Sequence, residues 1–512
     1  MKTIKLPYII ALVLVLTSAT SCKKILDTQP EDFLSSGNYF KTEAQLNNAL
    51  TGIYEILSDS YMYSTYYISE MGTEADEGYY RVASKVSGPQ VYLFGASDVI
   101  VTNFWQRLYQ GIGRANILLA NIERPTMDEA VREQFRGEAL FLRSYYYFLL
   151  VTHFGDVPLV LTPTESAEGN AIPRTPSKDV YEQITNDLKT AENLVKSSTD
   201  LGYGGRVSRS AVRGMLARIY LHWAGFPLND ATKYQDAKTW AQKVMDPAEG
   251  HRLNPSYEDV FKNYSSDKYD VGESILEVEF WGNLSDAFHA VGRVGNANGI
   301  FTTNEDVVGF AYGYIRTTPK LYNLYEANDL RRDWAIAPFT YETNGMRLPR
   351  PVIAERNCGK FRREFEVVNP RHRLGTPINY PLLRYSDVLL MFAEAENKIN
   401  GPTAAAHDAL NLVRDRAKAT LYTGANRISD QTAFTKVIQD ERARELCFES
   451  LRKYDLIRWG IFVPEMKAVI PTLPANAFYA LAFQSVTQRN VLFPIPTREL
   501  GLNRALTQNP GW

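Results

Sequence analysis

Two stretches of this chain carry the same helix-pair pattern, and that pattern narrows the fold more than any other feature of the sequence. Ala211, Leu216, Ala217 and Tyr220 line one predicted helix, and Tyr234, Ala237, Ala241 and Val244 line the next. The arrangement recurs at Tyr385, Leu389, Phe392 and Ala393, followed by Ala405, Ala409, Leu410 and Val413. Small residues let paired helices approach closely, and aromatic rings fill the gaps between turns. A helical bundle with alanine-rich seams produces the same spacing, and the pattern alone leaves that alternative open.

Capping signals predict further helices. One begins near Thr42, with Thr42 and Gln45 spaced as a capping box, and runs to about Leu57. Others are predicted at about 103–122 and 128–152, the second with Thr126 and Glu129 as its capping box. Thr175 followed by Pro176 reads as N-cap and first residue of a helix to about Lys196, with two more at about 209–224 and 231–245. The helix pairs resemble degenerate tetratricopeptide (TPR) units, which bury their faces by stacking on one another. Residues 250–380 read differently. Ser274 to Phe280 alternates like a strand, Gly292, Gly295, Asn296, Asn298 and Gly299 mark loops, and Pro349, Pro351, Pro370, Pro377 and Pro381 interrupt any long element. The fold class expected is mostly α: a scaffold of TPR-like helix pairs with a loop-rich lobe containing short strands. The expected organisation is a signal peptide at 1–21, helical regions at 22–245 and 381–512, and the loop-rich lobe at 246–380.

The N-terminus carries an export signal. Lys2 and Lys5 precede an apolar run, Leu6 to Leu16, too short to cross a bilayer core, and small residues lead into Cys22. This order predicts cleavage before Cys22 and lipidation of its thiol, which would tether an exported protein to a membrane by acyl chains. Lys23 and Lys24 follow the cysteine, with acid only from Asp27. If Cys22 is acylated, Cys358 and Cys447 remain. The apolar setting of Cys447, between Leu446 and Phe448, suits a buried free thiol better than a disulfide.

A net charge of −2 excludes the basic field that nucleic-acid binding needs. The sequence contains no phosphate-binding glycine loop, HExxH, GxSxG or CxxC motif, and no two of its six histidines are four residues apart. No catalytic residue, metal ligand or cofactor is therefore assigned. Glu441 and Glu445 stand four apart on one predicted helix, with Arg442, Arg444, Arg452 and Arg458 nearby; an ion-pair network is the expected reading rather than an acid–base pair. Glu70, Glu74, Asp76 and Glu77 lack the order and the glycine of an EF-hand, so a calcium site has no motif behind it and a solvated loop is the default. The 31 Tyr and 24 Phe suit sugar stacking, although most such rings in a large protein are core. Tyr79, Tyr80, Trp281, Tyr312 and Tyr314 fall in the irregular segments, where rings can stack on sugar C–H faces. Asn283, Asp286, Asn296 and Asn298 could supply hydrogen bonds. The candidate ligand-binding set is Tyr79, Tyr80, Trp281, Asn283, Tyr312 and Tyr314.

Several motifs occur in one order over nearly the whole chain. FKTEAQLNNALTGIY covers 40–54, EALFLRSYYYFLLVTHFGDVPLV 138–160 and GRVSRSAVRGMLARIYL 205–221. PLLRYSDVLLMFAEAEN (381–397), ERARELCFESLRKYDLIRWG (441–460), VLFPIPTREL (491–500) and a terminal QNPGW (508–512) follow. In these motifs the chain resembles the SusD/RagB nutrient-uptake lipoproteins of Bacteroidota outer membranes. The resemblance implies four TPR-like helix pairs, a loop-rich lobe carrying the ligand site, and a non-enzymatic role. It implies a lipid-anchored outer-membrane protein, facing the cell surface, that captures oligosaccharides as the lid of a SusC-like TonB-dependent transporter. Some members bind peptides instead. A surface glycoside hydrolase and a pure TPR adaptor are the alternatives from other classes. The matched motifs are structural: Asp455 and Arg458 look like ion-pair residues, and Glu394 is expected to meet an arginine such as Arg384. Ligand residues in this family lie in variable loops, so none transfers by motif.

Overall fold

The computed structural model describes residues 39–71, 75–164, 171–285 and 290–512. The signal peptide and Cys22 lie outside them. The first long helix, α1 (Glu43–Tyr54), is capped by Thr42, whose hydroxyl accepts the Gln45 N–H at 3.3 Å. Helix α2 (Val99–Asn121) starts at Asp98, whose carboxylate accepts the N–H groups of Ile100 and Val101. Helix α3 (Glu129–Phe154) starts at Asp128 rather than at the expected Thr126: the Asp128 carboxylate accepts the Val131 N–H. Helix α4 (Ser177–Glu192) begins one residue past Pro176, and its first N–H is met by Asp156 instead of Thr175. Helices α5 (Arg209–Ala224) and α6 (Lys233–Met245) form the predicted pair. In the C-terminal half α8 (Tyr385–Asn400) and α9 (Ala404–Arg416) form another, followed by α10 (Gln431–Leu446) and α11 (Arg452–Arg458). Between the halves lies α7 (Tyr257–Ser265).

Helices α2 to α6 pack as successive neighbours, and α8 packs on α6, α9 and α10, which joins the two halves. The seams hold the small residues the pattern named: Ala211, Ala217, Ala237, Ala241 and Ala393 are fully buried. Ala405 is the exception; it is exposed, and Ala406 takes the buried place. The close approach is tight enough that a Cβ on Gly111 of α2 would lie 2.4 Å from the Tyr146 ring of α3.

Strands are short and come in antiparallel pairs. They are β1 (Gly78–Tyr80), β2 (Ser274–Val278), β3 (Ile315–Thr317), β4 (Phe339–Tyr341), β5 (Arg347–Pro349) and β6 (Tyr380–Arg384), pairing as β1–β3, β2–β6 and β4–β5. The strand expected at Ser274–Phe280 is thus present as β2, and its partner leads directly into α8. Among the described residues no helix is long and apolar enough to cross a membrane. Cys358 and Cys447 are free and fully buried.

The charges of α10 and its neighbours are structural. Glu441 pairs with Arg331, Arg414 and Arg444, and Glu445 with Arg331, Arg384 and Arg416, all with almost no solvent exposure. Of the four arginines named from the sequence, only Arg444 joins this set. Arg442 bridges Asp387 and Asp455, and Arg452 binds Asp76. Glu394 meets Arg458 and the Trp459 indole N–H, not Arg384. Arg384 is held by Glu273, Glu445 and Glu449.

Candidate ligand-binding surface

Strand geometry decides which of the candidate aromatics meet. Strand β1 pairs with β3 in the register Tyr79 with Arg316 and Tyr80 with Ile315. Neighbouring residues of a strand point to opposite faces, so Tyr79 and Tyr80 part company. Tyr79 is 2% exposed, stacks on Tyr479 at 4.3 Å and donates its hydroxyl to the Ala354 carbonyl. It belongs to an apolar cluster with Tyr92, Phe462 and Phe483, and its ring has no face for a ligand.

Tyr80 turns the other way and opens a three-ring stack. Its ring lies 4.9 Å from Tyr314 at an interplanar angle of 19°, and Tyr314 lies 4.9 Å from Tyr312 at 5°. Phe310 closes the far end edge-on to Tyr312. Tyr80 is buried, whereas Tyr312 and Tyr314 are partly open to solvent. Tyr314 is the middle ring, with Tyr80 on one face and Tyr312 on the other. Gly313, between Tyr312 and Tyr314 in the chain, sits at φ +53°, where a Cβ would come within 2.7 Å of the Phe301 nitrogen. Backbone bonds fix the segment: Tyr312 and Gly313 donate to the Asn296 carbonyl, and Tyr314 donates to Ala297. Arg81, the residue after β1, donates its backbone N–H to Tyr314 and its Nε–H to the Tyr312 carbonyl, both at 2.8 Å.

Charge surrounds the stack. The Arg81 guanidinium lies over the Phe301 ring at 4.3 Å, and that of Arg293 lies 5.6 Å from the Tyr312 ring centre. Arg293 also donates its backbone N–H to Ser64, within the segment that carries a second stacked pair, Tyr61 and Tyr66, 5.1 Å apart. The Tyr80 hydroxyl faces Glu70 at 3.4 Å. Burial raises the Glu70 carboxyl above its ordinary range, against the pull of Lys85. Burial and then the Glu70 charge raise the Tyr80 phenol, so it stays a donor at neutral pH. Burial, followed by the Arg316 charge, lowers Arg81.

The other candidates lie elsewhere. Trp281 is 46% exposed and lines a groove away from the stack. Asn283 is 5% exposed; its amide donates to Pro370 and its carbonyl oxygen accepts the Ser285 N–H. Asn296 and Asn298 are fully buried and bind backbone carbonyls. Asp286 and Glu74 lie outside the described residues. Asp76 and Glu77 do not form a solvated loop: both are buried, Asp76 against Arg452 and Lys320, and Glu77 accepting the Phe448 N–H. Among the described residues, no group of three or more His, Cys, Asp or Glu could hold a metal ion. Sequence reasoning missed Arg81, Arg293 and Phe301. The signal that could have found them is the β1–β3 pairing, which brings residue 81 beside 312–314.

A family model described as "SusD family" matches residues 356–512, and one described as "Starch-binding associating with outer membrane" matches residues 24–221. The chain is similar to SusD-like protein P2 of Formosa agariphila, at 27% identity over 99% of each chain. Among solved structures it is similar to a SusD homolog from Bacteroides thetaiotaomicron, with a TM-score of 0.85, 28% identity, and coverage of 93% of this chain and 98% of that one. A laminarin-binding SusD-like protein matches with a TM-score of 0.72 at 25% identity, covering 92% of this chain and 100% of the other.

Proposed function

The chain belongs to the SusD/RagB family, and from that premise we propose that it is a lipid-anchored outer-membrane protein that captures oligosaccharides through its tyrosine stack. In this reading it binds without catalysis and acts as the surface lid of a SusC-like TonB-dependent transporter. The observation that carries the reading is the stack itself: Tyr80, Tyr314 and Tyr312 in parallel, with Tyr312 and Tyr314 partly open to solvent and Arg81 and Arg293 alongside. Sugar rings present apolar C–H faces that stack on such platforms, and guanidinium donors and phenols bind the hydroxyls between them. Among the described residues Glu70 is the carboxylate that faces the Tyr80 hydroxyl; glycoside hydrolysis would use a pair flanking the scissile bond.

The family description of starch binding and the laminarin named for one relative make both polysaccharides the first probes. A glycan array followed by titration of wild type and Tyr314→Ala tests the site. Loss of binding in a folded variant supports it, and release of reducing sugar by the wild type would overturn the non-catalytic reading. Cys22→Ala should move the protein out of the membrane fraction; retention there would reject the lipid tether.

A further inference from the structure

A second concave surface among the described residues lies away from the stack. It is a groove of about 460 Å³ between the end of α1, the glycine turn at 204–205 and the exit of β2. Trp281 stands at its edge with nearly half its surface exposed, beside a second pair of rings, Tyr203 and Tyr269, whose centres are 5.8 Å apart.

The floor is acidic. Glu277 and Glu279 leave β2 two residues apart and therefore on one side, facing Gly204 and Gly205. The turn makes room for them: a Cβ on Gly205 would lie 2.0 Å from the Glu279 carboxyl carbon. Glu277 is committed, accepting from Ser274 and Asn379. The Tyr269 hydroxyl pulls the Glu279 carboxyl down against its burial, while Glu279 Oε1 is buried without a hydrogen-bond partner. Burial raises both carboxyls, Glu277 to about 7. Among the described lining residues the cation is Arg206, which is already neutralised by Glu138, gripped by its guanidinium at 2.6 and 3.0 Å.

We propose that this groove is a second carbohydrate subsite, with Trp281 as the stacking platform and Glu279 as the hydroxyl acceptor, selective for neutral or amino sugars over uronate or sulfated ones. The proposal rests on the glycan-binding reading above but not on the stack. A sugar hydroxyl donates to Glu279 Oε1, which supplies the missing partner, while above about pH 7 an anionic sugar meets ionised Glu277 and Glu279, and Arg206, the cation among the described lining residues, is already paired with Glu138.

The test uses Trp281→Ala and Gly205→Ala, the second chosen because it displaces the Glu279 carboxylate without touching the tryptophan. Each is compared with wild type, Tyr314→Ala and the Trp281→Ala/Tyr314→Ala pair, with laminarin, starch and every array-positive glycan as probes. Circular dichroism and melting confirm that each variant folds. The expected result is at least a five-fold loss of affinity in each groove variant, residual binding in Tyr314→Ala, and none in the double variant. Sulfated or uronate versions of the same glycans should gain nothing from the intact groove. Wild-type affinity in both groove variants of a protein that binds glycan would overturn the subsite and leave the stack standing. A wild type that binds no arrayed glycan would overturn both.

Discussion

Glu441 and Glu445 stand one helical turn apart with no solvent exposure, an arrangement that would repel strongly without cations. Burial pushes both carboxyls up, but Arg331, Arg414 and Arg444 outweigh it at Glu441, and Arg416, Arg384 and Arg331 outweigh it at Glu445, which is held at about 2. A folded pKa below the unfolded value of roughly 4.3 means that this contribution is present above that pH and is lost as pH falls toward 2. Removing one partner leaves buried cations unpaired, so Glu445→Ala should cost about 3–5 kcal/mol in chemical denaturation at neutral pH. Glu77 has the opposite sign. Burial raises it to about 8, against the Phe448 N–H bond, and its Oε2 has no partner. Its stability penalty is absent below the unfolded pKa and grows as pH rises toward 8. Glu77→Gln, which keeps the Phe448 bond, should therefore melt higher than wild type at pH 8–9 and close to it near pH 5. A constant difference across that range would reject the ionisation argument. The existence of an ion-pair network was legible in ERARELCFES, because two carboxylates on one face demand cations. The partners were not, since Arg331, Arg384 and Arg416 come from other elements brought near only by the fold.

At the level of elements, the helices were readable because apolar periodicity and caps are local. Helix α5 matches its expected bounds, and errors gather at the starts, where Asp128 displaces Thr126 and Asp156 displaces Thr175. The strand at 274 was readable from alternation, but β1 and β3 are three residues each and have no period to detect. Their pairing sorts Tyr79 from Tyr80 and brings Tyr80 beside Tyr314. It also gives Gly313 its importance: the positive φ and the 2.7 Å approach to Phe301 leave no space for a side chain. Gly313→Ala should cost roughly 1–3 kcal/mol from overpacking and the left-handed backbone. It should also weaken glycan binding by tilting Tyr312 and Tyr314 apart. Unchanged affinity in that variant would show that ring alignment does not matter.

Over the whole molecule, the helical pairs form a rigid frame and the middle segment carries the stack and the groove. That segment is fastened to the frame through β2–β6, and the C-terminal residues are fastened to the N-terminal half: Asn509 donates to the carbonyls of Phe154 and Phe493, and Trp512 packs on Phe94. A ligand surface built on loops so fixed needs little ordering on binding, which favours affinity. A lipidated Cys22 followed by a short linker would keep such a frame near its transporter while allowing it to move. The central claim is that the tyrosine stack is where glycan binds. Calorimetric titration of the best array glycan into wild type and Tyr314→Ala tests it most directly. Removing the middle ring takes away the support that aligns Tyr312; at ~1–3 kcal/mol for an aromatic stacking contact, by analogy with bases stacked on aromatic rings, the account predicts a loss of about 5- to 150-fold in a variant that still folds. Equal affinity in the two proteins would contradict it.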